Sequence, residues 1–469
     1  MSLKLFAAAW AGNVSLARRL LKSGSAADER DSEGKTPLIV AAANGHLGVV
    51  ELLVKKAGAD VSLADYEIGF FPLFVASQMN NVAMVKWLIE KGAANVDQAT
   101  NDGCTPLYVS SDDGHQDVAR LLLAKGAKVD QANDDGVTPL SMSSLRGHHE
   151  MVELLMANGA KTDLADEKGF TPLIKSSQNG HREVARLLLA NGAKVNQANS
   201  EGATSLSMCS QFGHHEVVKL LLANGAKVDD ANVGGATPLV ISSEYGHQDV
   251  VRLLLAKGAN VNQACNDGAT ALFMSSQSGH VEVVKLLLAN GGTVDHATNT
   301  SNTALSMCSQ QGHLEVVKLL LANGAKVDQA RNDGTTPLIL SCANRHPEIV
   351  KLLLASGAKV DQASNDGTTP LSASRQYGYR EVEMLLLAAS IAKLEQAERL
   401  AEAMEEEGKP KRMARVCQLC GKEAKRMKKC SVCRLVRYCS EECQLKDWKE
   451  HKKLCKEAPA RKEVGGKGD

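Results

Sequence analysis

Aromatic residues make up only 3% of this 469-residue chain, and net charge is missing altogether, since 54 Lys and Arg balance 54 Asp and Glu. Few aromatics argue against extended surfaces for stacking bases. No stretch reaches the roughly 18 uninterrupted apolar residues that a membrane-spanning helix needs, so no membrane insertion is expected. The opening MSLKLFAAAWAGN has a short apolar run without the organisation of a cleavage site, so no secretory signal is expected either. Neither a phosphate-binding loop nor a G-x-S-x-G nor an H-E-x-x-H motif occurs, which leaves catalysis without a recognisable local apparatus. Cysteine is not scarce, but seven of the twelve crowd into residues 417–455. The other five (Cys104, Cys209, Cys265, Cys308, Cys342) are scattered, and three of them replace small Ser or Ala residues. They read as reduced thiols used for packing, which places the chain in a reducing compartment, cytoplasmic and/or nuclear.

What the chain has in abundance is one unit. Between Ala236 and Cys265 it reads ATPLVISSEYGHQDVVRLLLAKGANVNQAC. Thr237 and Pro238 open a first helix, because Thr can cap and Pro is tolerated where the N–H would be an orphan. Gly246 stops it, a second helix starts at His247, and Gly258 ends that one. The apolar stripe Val250, Val251, Leu253, Leu254 and Leu255 is too wide for a lone surface helix. Thr recurs at 105, 138, 171, 204, 237, 270, 303, 336 and 369, a constant period of 33. Thr36 and Phe71 hold the equivalent place upstream, and Leu5 to Leu21 fits a worn first copy, so twelve units are expected.

The period, the two helices and the order T-P-L, G-H, L-L-L, G-A resemble the ankyrin repeat over residues 1–390. The resemblance implies a mainly α solenoid of helix-turn-helix units with short hairpin loops, a curved rod that usually binds protein. The family's His after T-P-L is missing, replaced by Ser141, Ile174, Ser207, Val240, Phe273 and Ser306, so its hydrogen bonds must be rearranged. Nine histidines occupy the Gly-His position, from His46 to His346, where local hydrogen bonding explains them better than metal does. His149, His215 and His296 lie outside it and are expected to be solvated. In the first copy, Arg18, Arg19 and Lys22 suit a terminal cap, and Trp10 is expected to be buried against the next unit. The hairpin at Asp65–Phe71 and the pair Asn80-Asn81, in place of Gly-His, predict irregular stacking there. The residues free to vary are pairs at the end of the first helix, such as Leu145-Arg146, Gln211-Phe212 and Glu244-Tyr245. Phe212 and Tyr245 stand in neighbouring units, either as anchors for a partner or as packing between units.

Residues 388–408 read as one helix with Leu394, Ala397, Leu400, Ala401 and Met404 on a face, a semi-rigid spacer broken at Gly408-Lys-Pro410. The expected domains are therefore 1–390 solenoid, 391–413 helical spacer and basic linker, 414–456 finger and 457–469 tail. Charge is divided unevenly among them: residues 409–456 hold 16 Lys and Arg against 5 Asp and Glu.

Within that basic end lies Cys417-x2-Cys420-x9-Cys430-x2-Cys433-x5-Cys439-x3-Cys443-x7-His451-x3-Cys455. Eight thiol and imidazole donors make two tetrahedral sets, the closed environment that structural zinc prefers. The spacing, with Arg437-Tyr438, Cys443-Gln444 and Trp448-Lys449, resembles the MYND zinc finger over 417–455. By that resemblance Cys417, Cys420, Cys439 and Cys443 hold a first zinc, and Cys430, Cys433, His451 and Cys455 a second. It also implies that Gln444 and Trp448 bind a short proline-containing peptide, although Trp448 suits a core position equally well. The expected function is a non-enzymatic adaptor that holds one protein on the rod and another on the finger. The alternatives are a transcriptional cofactor whose basic finger contacts nucleic acid, and a part of a methyltransferase system.

Overall fold

The computed structural model describes residues 4–406, with side chains as far as Leu400, and two short strands near the C-terminus. It contains 24 helices among the described residues, paired as the period of 33 predicts. The chain divides into two units, Met1–Asn332 and Asp333–Asp469, each of which is described by itself.

In the first unit, the Thr237 repeat shows how sequence becomes a brick. Thr237 sits in extended backbone and its side chain accepts a hydrogen bond from the Val240 N–H, opening helix Pro238–Glu244. A left-handed Gly246 (φ 76°) turns the chain into helix Gln248–Ala256, whose Val250, Val251 and Leu254 are fully buried. Thr36, Thr105, Thr138, Thr171, Thr204, Thr270 and Thr303 cap in the same way, whereas Phe71 holds the position without a side-chain cap. At Ser207 and Ser306, though not at Ser141, the hydroxyl that replaces the family's His closes a reciprocal cap: Ser207 Oγ accepts from Thr204 N at 2.7 Å and donates to the Thr204 carbonyl at 2.8 Å.

Three ladders join each repeat to its neighbour. Along the hairpin tips, backbone N–H groups reach the preceding tip, as from Glu167 to the Asp135 carbonyl and from Val233 to the Glu201 carbonyl. After the second helices, Asp or Asn carboxyl and amide oxygens accept from a backbone N–H 31 residues on, as Asp163 does from Lys194 and Asn196 from Lys227. The third ladder is made by the histidines. Eight of them, from His46 to His313, place Nε2 within 2.8–3.0 Å of a backbone carbonyl in the preceding repeat. A carbonyl only accepts, so Nε2 carries the proton. The bonding is therefore not local, as the sequence suggested; none of these rings caps its own helix.

The preceding glycine makes room for the ring. A Cβ built on Gly213 would meet His247 Nδ1 at 2.5 Å, and Gly213 has φ 75°. Gly225, at φ 85°, has open space around the same position. Gly225→Ala should therefore cost only the left-handed backbone, about 1 kcal/mol. Gly213→Ala should add the displacement of His247 and the loss of its bond to the Gln211 carbonyl, on the order of 3 kcal/mol in all. Amide exchange within residues 204–235 of the two variants side by side checks the difference; equal losses of protection would remove the ring from the account.

Three expectations need correction. Trp10 is 67% exposed rather than buried: it is the last residue of its first helix, and only its carbonyl is engaged, by His46. His296 is half-buried, not solvated, with Nε2 3.1 Å from the Gly268 carbonyl. The Asn80-Asn81 pair does not disturb the first-helix row: Asn80 takes the left-handed conformation itself (φ 53°), and Asn81 Oδ1 caps the next helix through Met84 N. What irregularity there is stays in the hairpin, where buried Asp65 gathers the N–H groups of Ile68, Gly69 and Phe70.

The second unit carries the Thr336 and Thr369 repeats, built by the same rules. Its last helix runs without interruption over Arg380–Glu406, so the spacer helix expected from Ala388 onward is the continuation of the final repeat's second helix. Lys393 on this extension reaches Asp361 at 3.1 Å, and Arg375 pairs with Glu383 at 2.8 Å.

Candidate interaction surface and metal-binding segment

First helices of the first unit end in a half-buried residue followed by an exposed one, at Leu145-Arg146, Gln178-Asn179, Gln211-Phe212, Glu244-Tyr245, Gln277-Ser278 and Gln310-Gln311. Phe212 and Tyr245 are 46% and 50% exposed, so they do not merely pack between units. Each ring stacks on the ladder histidine two residues on, Phe212 on His214 at 6.3 Å and Tyr245 on His247 at 6.4 Å between centroids. Gln211 Nε2 donates to Tyr245 Oη at 3.3 Å and links the two repeats. The rings are thus exposed yet held, which lowers the entropy a ligand must freeze.

Cys265, in the next hairpin, is a half-buried thiol packed against Phe273 and Met307. Burial pushes the Cys265 thiol up to about 11, and the carboxylates of Asp267 and Glu244 push it the same way. Glu244 ends one first helix and Asp267 belongs to the next hairpin, so two repeats aim negative charge at one patch. The signal available in sequence was the acidic residue next to Tyr245.

One repeat is built differently from its neighbours. Lys175 stands where adjacent repeats carry Met142 and Met208, and its Nζ lies 2.8 Å from Asp166 Oδ2. Both side chains are nearly buried, at 9% and 11% exposure. Asp166 Oδ1 also accepts from Lys168 N and Phe170 N, which ties the hairpin to the helix floor. Periodicity would have shown this pair, since two charges depart from the repeat at once.

The ladder histidines spend Nε2 on backbone carbonyls, and no group of three or more His, Cys, Asp or Glu lies together among the described residues. For His181, burial depresses the imidazolium pKa, the Leu145 carbonyl opposes this, and His148 and His214 reinforce it. The unfolded state then binds more protons below about pH 6.5, so the stability His181 contributes is complete above that value and lost as pH falls through its lower folded value. Amide protection within the Thr171 repeat plotted against pH should fall on the acid side, and His181→Gln should flatten that slope; an unchanged slope would contradict the assignment.

Cysteines within the first helices are structural. Cys209 and Cys308 are buried with Sγ directed at the carbonyls of Leu206 and Leu305, and burial raises both thiols.

The eight donors Cys417, Cys420, Cys430, Cys433, Cys439, Cys443, His451 and Cys455 lie outside the described residues, as do Gln444 and Trp448. What is described there is an antiparallel pair of strands, Lys428–Lys429 and Arg437–Tyr438, with Lys428 opposite Tyr438. The strands directly precede Cys430 and Cys439 in the chain. The donor set itself fits zinc, since seven soft thiols and one imidazole match its preferred ligands without an oxygen among them.

Comparison with known families agrees on both parts. The family model for ankyrin repeats in three copies matches six overlapping segments between residues 4 and 396. The MYND finger model matches residues 417–455. Among curated proteins, the zinc finger MYND domain-containing protein 10 homolog of Drosophila melanogaster is 54% identical over 39 residues, 8% of each chain. The SET domain-containing protein 14 of Caenorhabditis elegans is 48% identical over 48 residues, 10% of this chain and 11% of that one. The SET domain and MYND-type zinc finger protein 6 of Schizosaccharomyces pombe is 38% identical over 53 residues, 11% of each. The chain thus spans about a tenth of the length of the curated relatives it matches. No described helix is long and apolar enough to cross a membrane.

Proposed function

The chain belongs to the ankyrin-repeat family and carries a MYND finger, and from that premise we propose that it is a non-enzymatic adaptor with two binding faces. Both parts are interaction modules rather than catalytic ones. The observation that carries the first face is the pair of exposed, stacked rings Phe212 and Tyr245, joined through Gln211 on adjacent repeats. Aromatic side chains held in place and open to solvent are the anchors that protein interfaces use most.

The second face is the finger. Its zinc is structural: one ion on Cys417, Cys420, Cys439 and Cys443, another on Cys430, Cys433, His451 and Cys455, with four protein donors each and no open position for substrate. Gln444 and Trp448 receive a proline-containing peptide. Side-chain charge alone would suggest nucleic acid for this basic segment. However, seven ionised thiols offset by two zinc ions remove about three positive charges.

Phe212→Ala with Tyr245→Ala in the full chain tests the first face. The double variant should keep its thermal midpoint and lose at least tenfold in affinity for a partner selected on the intact chain, two anchors at over 1 kcal/mol each. Undiminished capture would remove the rings from the reading. Steep salt dependence of binding to duplex DNA would instead favour the nucleic-acid alternative.

A further inference from the structure

The ladders that tie one repeat to the next thin out at one end of the chain. At the N-terminal junction both side-chain rungs are in place: His46 Nε2 lies 2.9 Å from the Trp10 carbonyl, and Asp28 accepts from Asp60 N at 3.1 Å. At the last junction, between the Thr336 and Thr369 repeats, the hairpin-tip rung is kept, from Asn365 N to the Asp333 carbonyl at 2.8 Å. The side-chain rungs are not. Because the final helix runs on to Glu406, Asp361 has no following hairpin to meet and takes the Lys393 ammonium instead, at 3.1 Å. Lys393 and Asp361 are 59% and 72% exposed, and so open a pair is worth little.

The histidine rung is altered from both sides. Tyr379 stands where the ring would be, and its Oη makes no hydrogen bond among the described residues. Arg345 stands where other repeats have glycine, and takes the left-handed backbone itself at φ 59°. At seven of those glycines a Cβ would come within 2.5–3.1 Å of the next histidine ring. The Cβ of Arg345 and a histidine at 379 therefore cannot both take their usual places. What joins the two positions is the Arg345 guanidinium over the Tyr379 ring, 5.9 Å from its centroid.

We propose that this junction is a release point: the Thr369 repeat, with the helix that runs on to Glu406, opens as one cooperative unit ahead of the repeat before it. A terminal repeat packs on one side only, and Leu371 is half-buried where Leu338 is fully buried, so its hold on the array rests on this one junction. Opening uncovers the sides of helices Pro337–Ala343 and Pro347–Ala355 on which the last repeat packs.

Amide exchange of the full chain, compared between residues 337–355 and 370–387, tests this. Corrected for intrinsic rates, 370–387 should share one opening constant, larger than that of 337–355 by about tenfold or more. Arg345→Gly combined with Tyr379→His rebuilds the glycine and the ring together, as Gly213 and His247 hold them in the first unit, so the fold is kept. That double variant should slow exchange in 370–387 by about five- to tenfold, the effect of one recovered hydrogen bond. Tyr379→His alone should give no such gain, since the Arg345 Cβ still fills the ring's place. The proposal is overturned by protection in 370–387 equal to that in 337–355, or by protection that grades from residue 387 back to 370, as fraying from the free end would give. Exchange unchanged in the double variant, or an equal gain from Tyr379→His alone, overturns it as well.

Discussion

Lys175→Met is expected to destabilise the Thr171 repeat by about 3 kcal/mol, the cost of leaving a nearly buried carboxylate without its cation. Asp166 would remain beneath the surface with one oxygen held by the Lys168 and Phe170 N–H groups and the other facing a thioether. The adjacent repeat shows the remedy. There Met208 occupies the lysine's place and Asn199 the aspartate's, with Asn199 Oδ1 accepting from Glu201 N and Ala203 N as Asp166 does in its own hairpin. Lys175→Met combined with Asp166→Asn should therefore recover all but about 1 kcal/mol, because removing both charges together deletes the desolvation along with the attraction. In so long an array unfolding need not be two-state, and a single free energy is the wrong readout. Amide exchange within residues 166–200 is the right one: protection should collapse in the single variant and return in the double. Protection that stays lost in the double variant would mean that the pair was holding the hairpin by geometry and not by charge.

Zinc removal has the larger effect and spares the repeats. Closed thiolate and imidazole sites contribute apparent folding free energies of about 10–16 kcal/mol near neutral pH, more than so small a module can replace from its core. A chelator should therefore abolish binding of a proline-containing peptide while the helical circular dichroism and thermal transition of the solenoid stay in place. Metal analysis should return two ions per chain. Gln444→Ala with Trp448→Ala should leave that content at two and still lose the peptide. A fall in zinc content would make Trp448 a core residue, and retained binding would move the peptide site elsewhere. Loss of the solenoid's transition on chelation would contradict the separation of the two parts.

Much of this architecture could be read in the chain before any coordinates. Thr caps, glycine stops and the period of 33 each follow from local backbone chemistry, and local chemistry is what a single sequence displays. The readings that failed share a different cause. His247 was assigned to local bonding because a repeated position says that a residue matters, not which neighbour it serves; the bond to Gln211 O spans 36 residues. Trp10 invites burial because an aromatic is usually worth burying, yet its ring stays 67% exposed at the end of the first helix. Asp166 and Lys175 are legible in principle, since both break the repeat, but that one charge answers the other shows only once the hairpin is folded onto the helix. The surroundings of Cys265 are only half legible in the sequence: Asp267 lies two residues on, whereas Glu244 comes near the thiol from the preceding repeat only on folding.

The three ladders also bear on how such a chain changes length. Every rung spans about one period, 31 residues for the Asp and Asn oxygens and 36 or 37 for the histidines. Excise or copy a stretch of 33 residues, beginning anywhere in a regular repeat, and each donor meets an equivalent acceptor across the new junction. Remove one residue, and the same junction breaks three rows at once. Gain and loss of whole copies is thereby the path of least resistance for this gene segment. Copies added between the existing ones would arrive already docked, their exposed first-helix ends free to diversify.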